Sequence, residues 1–332
     1  MSENPPFGAR AVETAPVLVH ATRGAMVESA HRATLVVTAP NGETWLERGA
    51  VNEPILPRSS LKPLQTLAML QHGLDLPPDL LTLVSSSHSG EEVHRHGVRR
   101  ILATVGLTED ALRNTPSLPI GEVEHARWLA TGRPAASIAQ DCSGKHAGML
   151  ATCVINGWPV EGYLDGDHPL QRAIADLVTR WCGPIAFTAV DGCGAPVPTT
   201  PLAALAHAFG RLATAPQGTD EHRIAEAIRA HPEMLGGDGR DVTAVIRALP
   251  GVIAKDGAES VYAAGTADGY GVAVKVTDGA PFPRARQVLL ASALTRVLEA
   301  SGAQVPAALE ALTTVPVLGH GQPVGSVHVV GF

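Results

Sequence analysis

Strand-like sequence stands at both ends of this chain with helical sequence between, and this order limits the folds open to it. Residues 16–21 and 33–38 are rich in Val, Leu and Thr, and the same character returns within 252–276 and at 324–330. Between about 59 and 239, apolar residues recur mostly at helical spacing. The pattern predicts an α+β fold: a mixed, mainly antiparallel sheet built from both chain ends and flanked by helices, with an inserted and mostly helical subdomain.

We interpret the 332 residues as a single domain, with 1–58 and 240–332 in the sheet-containing part and 59–239 in the helical part. A net charge of −7 argues against nucleic acid or an anionic membrane as main partner, and 4% aromatic residues are too few for base stacking. No apolar run reaches the ~18 residues of a membrane span. Residues Met1–Pro6 show no basic or apolar targeting region, so we expect a cytoplasmic protein.

A serine and a lysine stand three residues apart where a helix is predicted to begin. Leucines at helical spacing continue from Leu61 to Gly73, and Pro63 is tolerable only in a first turn. One helical turn would make Ser59 and Lys62 neighbours, and backbone N–H groups at the helix start favour an alkoxide there. Because a neutral lysine can take the serine proton, the pair predicts a nucleophile with its base.

Lysine is rare in this chain, which makes each lysine a candidate. Of the 25 basic residues only four are lysines, and these are Lys62, Lys145, Lys255 and Lys275. Arginine stays protonated in proteins, whereas lysine can serve as a base. The alternative is an arginine-preferring genome that left a few lysines by chance.

A run of serines precedes a predicted helix. Ser89 with Glu92 resembles a capping box for a helix through Leu102. Capping explains Ser89 but not the Ser85–His88 run before it, so one side chain of that run is a candidate for substrate contact. His94, which stands next to an arginine, is predicted to lie on the surface.

The chain has four cysteines in two different kinds of sequence. Cys153 and Cys182 lie within predicted helices and are expected to be buried structural thiols. Cys142 and Cys193 stand in Gly-containing turns flanked by aspartate. In a reducing cytosol, metal binding or catalysis is favoured for cysteines so placed.

The turn at Cys142 leads into another predicted helix. Ser143 is a suitable N-cap, and the helix would place Cys142, Lys145 and His146 on one face. Two thiolates suit zinc, so we predict a metal site formed by Cys142, Lys145 and Cys193. The alternative is a pair of reduced, partly buried thiols and a surface lysine.

Five sequence blocks, spread from residue 58 to 262, together resemble the asparaginase II family of the Rhizobium etli type, the class 3 L-asparaginases. The blocks are "RSSLKPLQ", "SSSHSGE", "DCSGKHAGML", "DGCGAPVPTTPLA" and "KDGAESVY". The order of Ser59-x-x-Lys62, a Ser-rich turn and Lys255-Asp256-Gly257 also resembles that of serine β-lactamases and penicillin-binding proteins, although the last two elements depart from that pattern.

The resemblance implies a β-lactamase-like, glutaminase-like fold and an enzyme that is usually a homodimer. This enzyme would hydrolyse L-asparagine to L-aspartate and ammonia, and neither nucleic acid nor a membrane is expected as a partner. It implies two Ser-Lys dyads, which are Ser59 with Lys62 and Ser87 with Lys255. It also implies zinc at Cys142, Lys145 and Cys193, tuning substrate binding rather than carrying the chemistry, with Asp191 orienting a ligand or water. The substrate-binding candidates are Arg58, His88, His146 and Asp191.

Some choices stay open in the sequence. Ser85 and Ser86 compete with Ser87, and Lys275 competes with Lys255. Which serine is acylated is also open, although the helix start favours Ser59. Two other functions compete: a serine hydrolase of the penicillin-recognising type, disfavoured by a Ser-His-Ser where Ser-x-Asn is expected, and a non-enzymatic thiol or metal-binding regulator built on the cysteine turns.

Overall fold

The computed structural model describes residues 8–280 and 284–332, so the N-terminal residues examined for a targeting region lie outside the described part. The strands are β1 Val17–Arg23, β2 Met26–Thr38, β3 Thr44–Arg48, β4 Pro54–Ile55, β5 Thr188–Val190, β6 Pro196–Pro198, β7 Thr200–Pro201, β8 Ile253–Gly257, β9 Val261–Gly265, β10 Gly271–Val276, β11 Thr314–Gly319 and β12 Gln322–Val329.

The α-helices are α1 Ala9–Glu13, α2 Lys62–Gln71, α3 Pro78–Val84, α4 Glu92–Ala103, α5 Glu122–Ala130, α6 Ser143–Ile155, α7 Pro169–Cys182, α8 Leu202–Ala213, α9 Asp220–Ala230, α10 Pro232–Leu235, α11 Asp241–Ala248, α12 Arg284–Ser301 and α13 Ala307–Glu310. Short 3-10 turns occupy Arg58–Leu61, Glu109–Ala111 and Ser137–Ala139. In the described residues, none of these helices combines the length and hydropathy that crossing a membrane requires.

The chain divides into two compact units. The first, here called the sheet unit, contains Met1–Ser60, Thr199–Thr214 and Val245–Phe332. The second, the helical unit, contains Leu61–Pro198 and Ala215–Ala244. Helix α8, which the sequence-based division placed in the helical part, therefore belongs to the sheet unit.

The sheet unit is organised by one eight-stranded sheet. Its strand order is β11-β12-β1-β2-β10-β9-β8, with β3 also pairing with β2, and every pairing is antiparallel. Strand β2 pairs with β1 along its first part and with β10 and β3 along its second part. The α+β class, with a sheet built from both chain ends, is confirmed; the strand β11 was not predicted.

Helices cover both faces of the central strands. Strands β8 and β9 are wholly buried. On one face, a Cβ added at Gly265 or Gly271 would lie 2.0 or 1.9 Å from a carbonyl oxygen of α8, so the helix backbone rests directly on the sheet. Because side chains alternate along β9, Tyr262 lies on the other face of the sheet. There the Arg286 guanidinium of α12 lies 5.6 Å from the centroid of the Tyr262 ring.

The predicted start of α4 is wrong. Its N-cap is Glu91, whose N–H donates to His94 Nδ1 at 3.2 Å. Ser89 Oγ instead donates to the Gly236 carbonyl oxygen at 2.7 Å. His94 is also fully buried rather than on the surface, because its ring lies under this turn and its Nε2 contacts the Glu233 carbonyl oxygen at 2.9 Å.

In the helical unit, α6 packs unusually closely against α3. A Cβ added at Gly144 would lie 2.2 Å from the Leu83 carbonyl oxygen, and one at Gly148 would lie 2.7 Å from a Val84 methyl carbon. Only glycine fits at this distance, since real Cβ atoms essentially never approach so closely. The contact places the start of α6 beside the serine run that follows α3.

We predict that Gly144→Ala lowers the free energy of unfolding by about 1–3 kcal/mol, because the added methyl group must push α6 away from backbone atoms of α3. Urea denaturation checks this value. Gly166→Ala is the matched control, because a Cβ there meets no heavy atom within 4 Å. Equal stability of the Gly144 variant and wild type would contradict the close packing.

Candidate active site

The side chain of Lys62, the first residue of α2, is buried beside the serine run. Its Nζ donates to the Ser86 carbonyl oxygen and to Ser87 Oγ, the latter at 3.0 Å. No carboxylate pairs with it among the residues that the structure describes. The Lys62 residue is 1% exposed, and its Nζ is held by neutral oxygen atoms.

The three serines of the run have different partners. Ser85 Oγ shares a hydrogen bond of 2.8 Å with Thr66 Oγ1. Ser86 Oγ is buried and has no hydrogen-bond partner in the described residues. Ser87 is therefore the serine of the run whose hydroxyl contacts a lysine in the helical unit, and this lysine is Lys62. The predicted pairing of Ser87 with Lys255 stays a prediction.

Backbone contacts hold this turn on two sides. The Ser87 N–H donates to the Leu235 carbonyl oxygen at 3.0 Å, and the His88 N–H donates to that of Asp141 at 3.1 Å. Arg240 Nη1 donates to the Ser87 carbonyl oxygen at 3.3 Å. The Ser87 backbone is thereby fixed between the loop before α6 and the loop after α10.

His88, a predicted substrate-binding residue, uses both ring nitrogens inside the protein. Its Nδ1 accepts the Gly90 N–H at 3.0 Å, so its Nε2 carries the proton and donates to Ser143 Oγ at 2.9 Å. Ser143 Oγ in turn donates to the Ile138 carbonyl oxygen at 3.0 Å. The ring thus ties the serine run to the start of α6, and substrate binding through it stays a prediction.

Two cysteines and a lysine meet in the helical unit. Cys142 is the N-cap of α6, Lys145 lies in its first turn, and Cys193 comes from the turn between β5 and β6. All three are buried, and Lys145 Nζ donates to Cys193 Sγ at 3.3 Å. The structure therefore brings together side chains that are 48 residues apart in sequence.

The two thiols carry unequal charge. A hydrogen bond from Cys142 holds the pKa of the Cys193 thiol far below its ordinary value against the opposing effect of burial, and Lys145 adds to the lowering. The same hydrogen bond, together with burial, raises the pKa of Cys142 well above its ordinary value. Burial acts to lower the pKa of Lys145, but the charge of Cys193 and its neighbours raises it overall. The cluster is a thiolate, a thiol and an ammonium.

The donor set fits a zinc ion. Cys193 Sγ contacts both Lys145 Nζ and the Cys142 thiol, and thiolates are preferred zinc ligands. The described residues contain no group of three or more His, Cys, Asp or Glu side chains that could hold a metal, so the predicted site depends on Lys145 as its third ligand and stays a prediction. Asp191 lies nearby, since its charge helps to raise the pKa of Lys145.

In the sheet unit, Arg58 and Ser59 lie against strand β8. A Cβ added at Gly257 would lie 3.4 Å from the Ser59 nitrogen. Side chains two residues apart on a strand lie on the same face of the sheet, so the Cβ of Lys255 lies on the face of β8 that Ser59 covers at Gly257. Arg58 has a φ of 52°, a left-handed conformation that costs a residue with a Cβ about 1–2 kcal/mol.

Lys255 is buried against a carboxylate that the sequence interpretation overlooked. Its Nζ donates to Asp256 Oδ1 at 2.6 Å and to the Asp256 carbonyl oxygen at 2.7 Å. Arg286 of α12 holds the other carboxylate oxygen at 3.3 Å. The competing Lys275 is less buried and donates to the Glu259 carbonyl oxygen. Asp256 could have been suspected from adjacency, but Arg286 is 30 residues away and carries no sequence signal.

The profile of the L-asparaginase II family matches residues 19–329. The chain belongs to the L-asparaginase II family. Membership supports an enzyme that acts on a small molecule, and it agrees with the resemblance noted in the sequence blocks.

This L-asparaginase II family member is also similar to a solved structure of simvastatin synthase (LovD) from Aspergillus terreus, the LovD6 mutant. The two share 14% identity over 74% of this chain and 86% of the other, with a TM-score of 0.35. No curated protein matches the chain.

We predict that the free energy of unfolding falls as the pH drops below about 6.5. In this range the unfolded chain binds a proton at His88, whereas the folded chain keeps this histidine neutral. Burial and the positive charges of His94 and Lys62 lower the pKa of His88 well below its ordinary value. Between pH 7 and 5.5 this histidine should remove about 1 kcal/mol. The measurement is urea denaturation at both pH values for wild type and His88→Gln, in which this contribution disappears.

The control is His96→Gln, at an exposed position, which should keep the wild-type pH dependence. An unchanged loss of stability between the two pH values in His88→Gln would contradict the assignment.

Proposed function

We propose that this enzyme hydrolyses the side-chain amide of L-asparagine to L-aspartate and ammonia. The observation that carries the proposal is the match of the L-asparaginase II family to residues 19–329. The buried Lys62 ammonium on Ser87 Oγ supports it, because an amine without a carboxylate partner can exchange a proton with a hydroxyl group.

The reaction proceeds by acyl transfer. Ser59 Oγ attacks the amide carbon of the substrate while Lys62, in its neutral form, takes the hydroxyl proton. Backbone N–H groups at the start of α2 stabilise the negative oxygen of the tetrahedral intermediate. The C–N bond then breaks, ammonia leaves with a proton from a lysine, and water hydrolyses the serine ester to release aspartate.

The two dyad lysines are suited to different steps. Lys62 contacts Ser87 Oγ and can pass a proton to that hydroxyl group. Lys255 is held by the Asp256 carboxylate at 2.6 Å, and an adjacent carboxylate stabilises the protonated amine. We therefore assign Lys62 as the base and Lys255 as the donor that protonates the leaving ammonia.

Two charged residues suit the ends of the substrate. Arg58 can hold the α-carboxylate through a bidentate contact. Asp191, next to Gly192 in the turn before Cys193, can accept hydrogen bonds from the α-amino group. Each proposed contact would be lost where a peptide bond removes the corresponding main-chain charge of the substrate.

We predict that Ser59→Ala and Lys62→Arg each reduce kcat at least ~10²-fold, because one removes the nucleophile and the other replaces the base with a cation that stays protonated. Ammonia release from L-asparagine measures kcat. Lys275→Arg is the matched control and should keep near-normal turnover.

The variants also separate the alternatives. Normal turnover in Lys62→Arg would refute its role as base. If Ser87→Ala, rather than Ser59→Ala, abolishes acylation, the nucleophile is Ser87. Hydrolysis of a β-lactam ring without ammonia release from asparagine would favour the penicillin-recognising alternative. Absence of both reactions would favour the non-enzymatic alternative.

We further propose that Cys142, Lys145 and Cys193 hold zinc. A zinc ion there would supply a positive charge and an open position for a water or substrate oxygen. Because the serine and lysine chemistry needs no metal, zinc would tune substrate binding rather than turnover. His146, with its ring against Cys193, and Asp191 would orient the ligands. A homodimer, implied by the resemblance, and a cytoplasmic location, expected from the sequence, stay predictions.

We expect about one zinc ion per chain in protein purified without a His-tag. Metal analysis checks this, in parallel with a Cys142→Ser, Cys193→Ser double variant that should contain none. A Cys153→Ser, Cys182→Ser double variant controls for the loss of buried thiols, because these cysteines lie outside the cluster. Equal zinc in all three proteins, or none in wild type after incubation with zinc, would refute the site.

A further inference from the structure

A tyrosine that no sequence motif marked lies behind the cysteine cluster. Tyr163 is fully buried and its Oη lies 2.8 Å from His146 Nδ1. The two rings meet edge to face, with centroids 5.7 Å apart. Tyr163 Oη also accepts the backbone N–H of Arg113 at 3.1 Å. These contacts fix the His146 ring from the side opposite the cysteines.

The hydrogen bonds determine which nitrogen of His146 carries the proton. Tyr163 Oη already accepts a hydrogen from Arg113, and a buried phenol needs an acceptor for its own hydrogen. The described acceptor is His146 Nδ1 at 2.8 Å. Nδ1 is therefore the acceptor, and Nε2 of the neutral ring carries the proton.

His146 Nε2 has a sulfur neighbour and no other partner. It is buried without a hydrogen-bond partner in the described residues. Burial lowers the pKa of His146, and the nearby Cys193 side chain opposes this lowering. Cys193 Sγ also receives Lys145 Nζ at 3.3 Å.

We propose that Tyr163 is a positioning residue that fixes His146 in the tautomer protonated at Nε2, so that the ring stays available beside the cysteine cluster as a hydrogen-bond donor rather than a metal ligand. In its metal-binding part this rests on the proposed zinc site. A ring protonated at Nε2 cannot coordinate through that atom, so the arrangement reserves the ligand positions for Cys142, Lys145 and Cys193. It also orients the Cys193 ligand, a contribution worth about 10–100-fold in metal affinity.

The test begins with zinc-free protein. Full-length chain with ¹⁵N-labelled histidine is examined by long-range ¹H–¹⁵N correlation at pH 8.5, where imidazole is neutral. His146→Gln identifies the His146 signals by their loss. We expect protonated Nε2 and unprotonated Nδ1 in wild type, and a mixture of the two forms in Tyr163→Phe, which keeps the ring but loses the hydroxyl donor. Protonated Nδ1 in wild type, or no change in Tyr163→Phe, would overturn the proposal.

Zinc affinity gives the second measurement. Competition with a chromophoric chelator should show at least ~10-fold weaker binding in Tyr163→Phe than in wild type. Tyr262→Phe, at a buried tyrosine of the sheet unit, is the matched control and should bind as wild type does. Equal affinity of wild type and Tyr163→Phe would overturn the metal-binding part. If wild type binds no zinc but shows the expected tautomer, the proposed zinc site fails while the positioning role of Tyr163 stands.

Discussion

The buried ammonium of Lys62 is the interaction on which the helical unit depends. Burying a charge costs several kcal/mol unless polar groups replace water, and here the replacement comes from the Ser86 carbonyl oxygen and Ser87 Oγ. The serine run must therefore hold one conformation. Its backbone is fixed by the loops at Asp141 and Leu235, and the Gly144 contact with α3 sets where the Asp141 loop lies.

The chain places the two buried lysines of the proposed dyads, Lys62 and Lys255, in different electrostatic surroundings. Lys62 has neutral oxygen partners, whereas Lys255 has a carboxylate whose second oxygen is held by Arg286. A base and an acid of the same residue type need such a difference, since identical side chains acquire separate roles only from their environments. The assignment of roles therefore follows from neighbours and not from the identity of the two residues.

The spacing of apolar residues and the positions of turn-forming and helix-starting residues predicted much of the fold. The strands near 16–21 and 33–38 and the start of α2 near Pro63 follow from local rules, and the structure confirms them. The errors share a cause. His94 and the cap of α4 depend on Gly236 and Glu233, which lie some 140 residues away, and local sequence carries no record of such partners.

The same limit applies to the candidate site. Rarity of lysine and the Gly-rich turns drew attention to Lys62, Lys145 and Cys193, because their residue types are unusual where they stand. Tyr163 and Arg286 act through contacts to His146 and Asp256. Their residue types are ordinary core and surface residues, so only the fold reveals what they touch.

The left-handed backbone of Arg58 has a consequence for any attempt to improve this protein. Its φ of 52° is comfortable only for glycine. A screen that rewards thermal tolerance alone would favour glycine at this position and discard the guanidinium group. Robustness and recognition therefore compete at a single residue, and laboratory selection would need to demand both traits together.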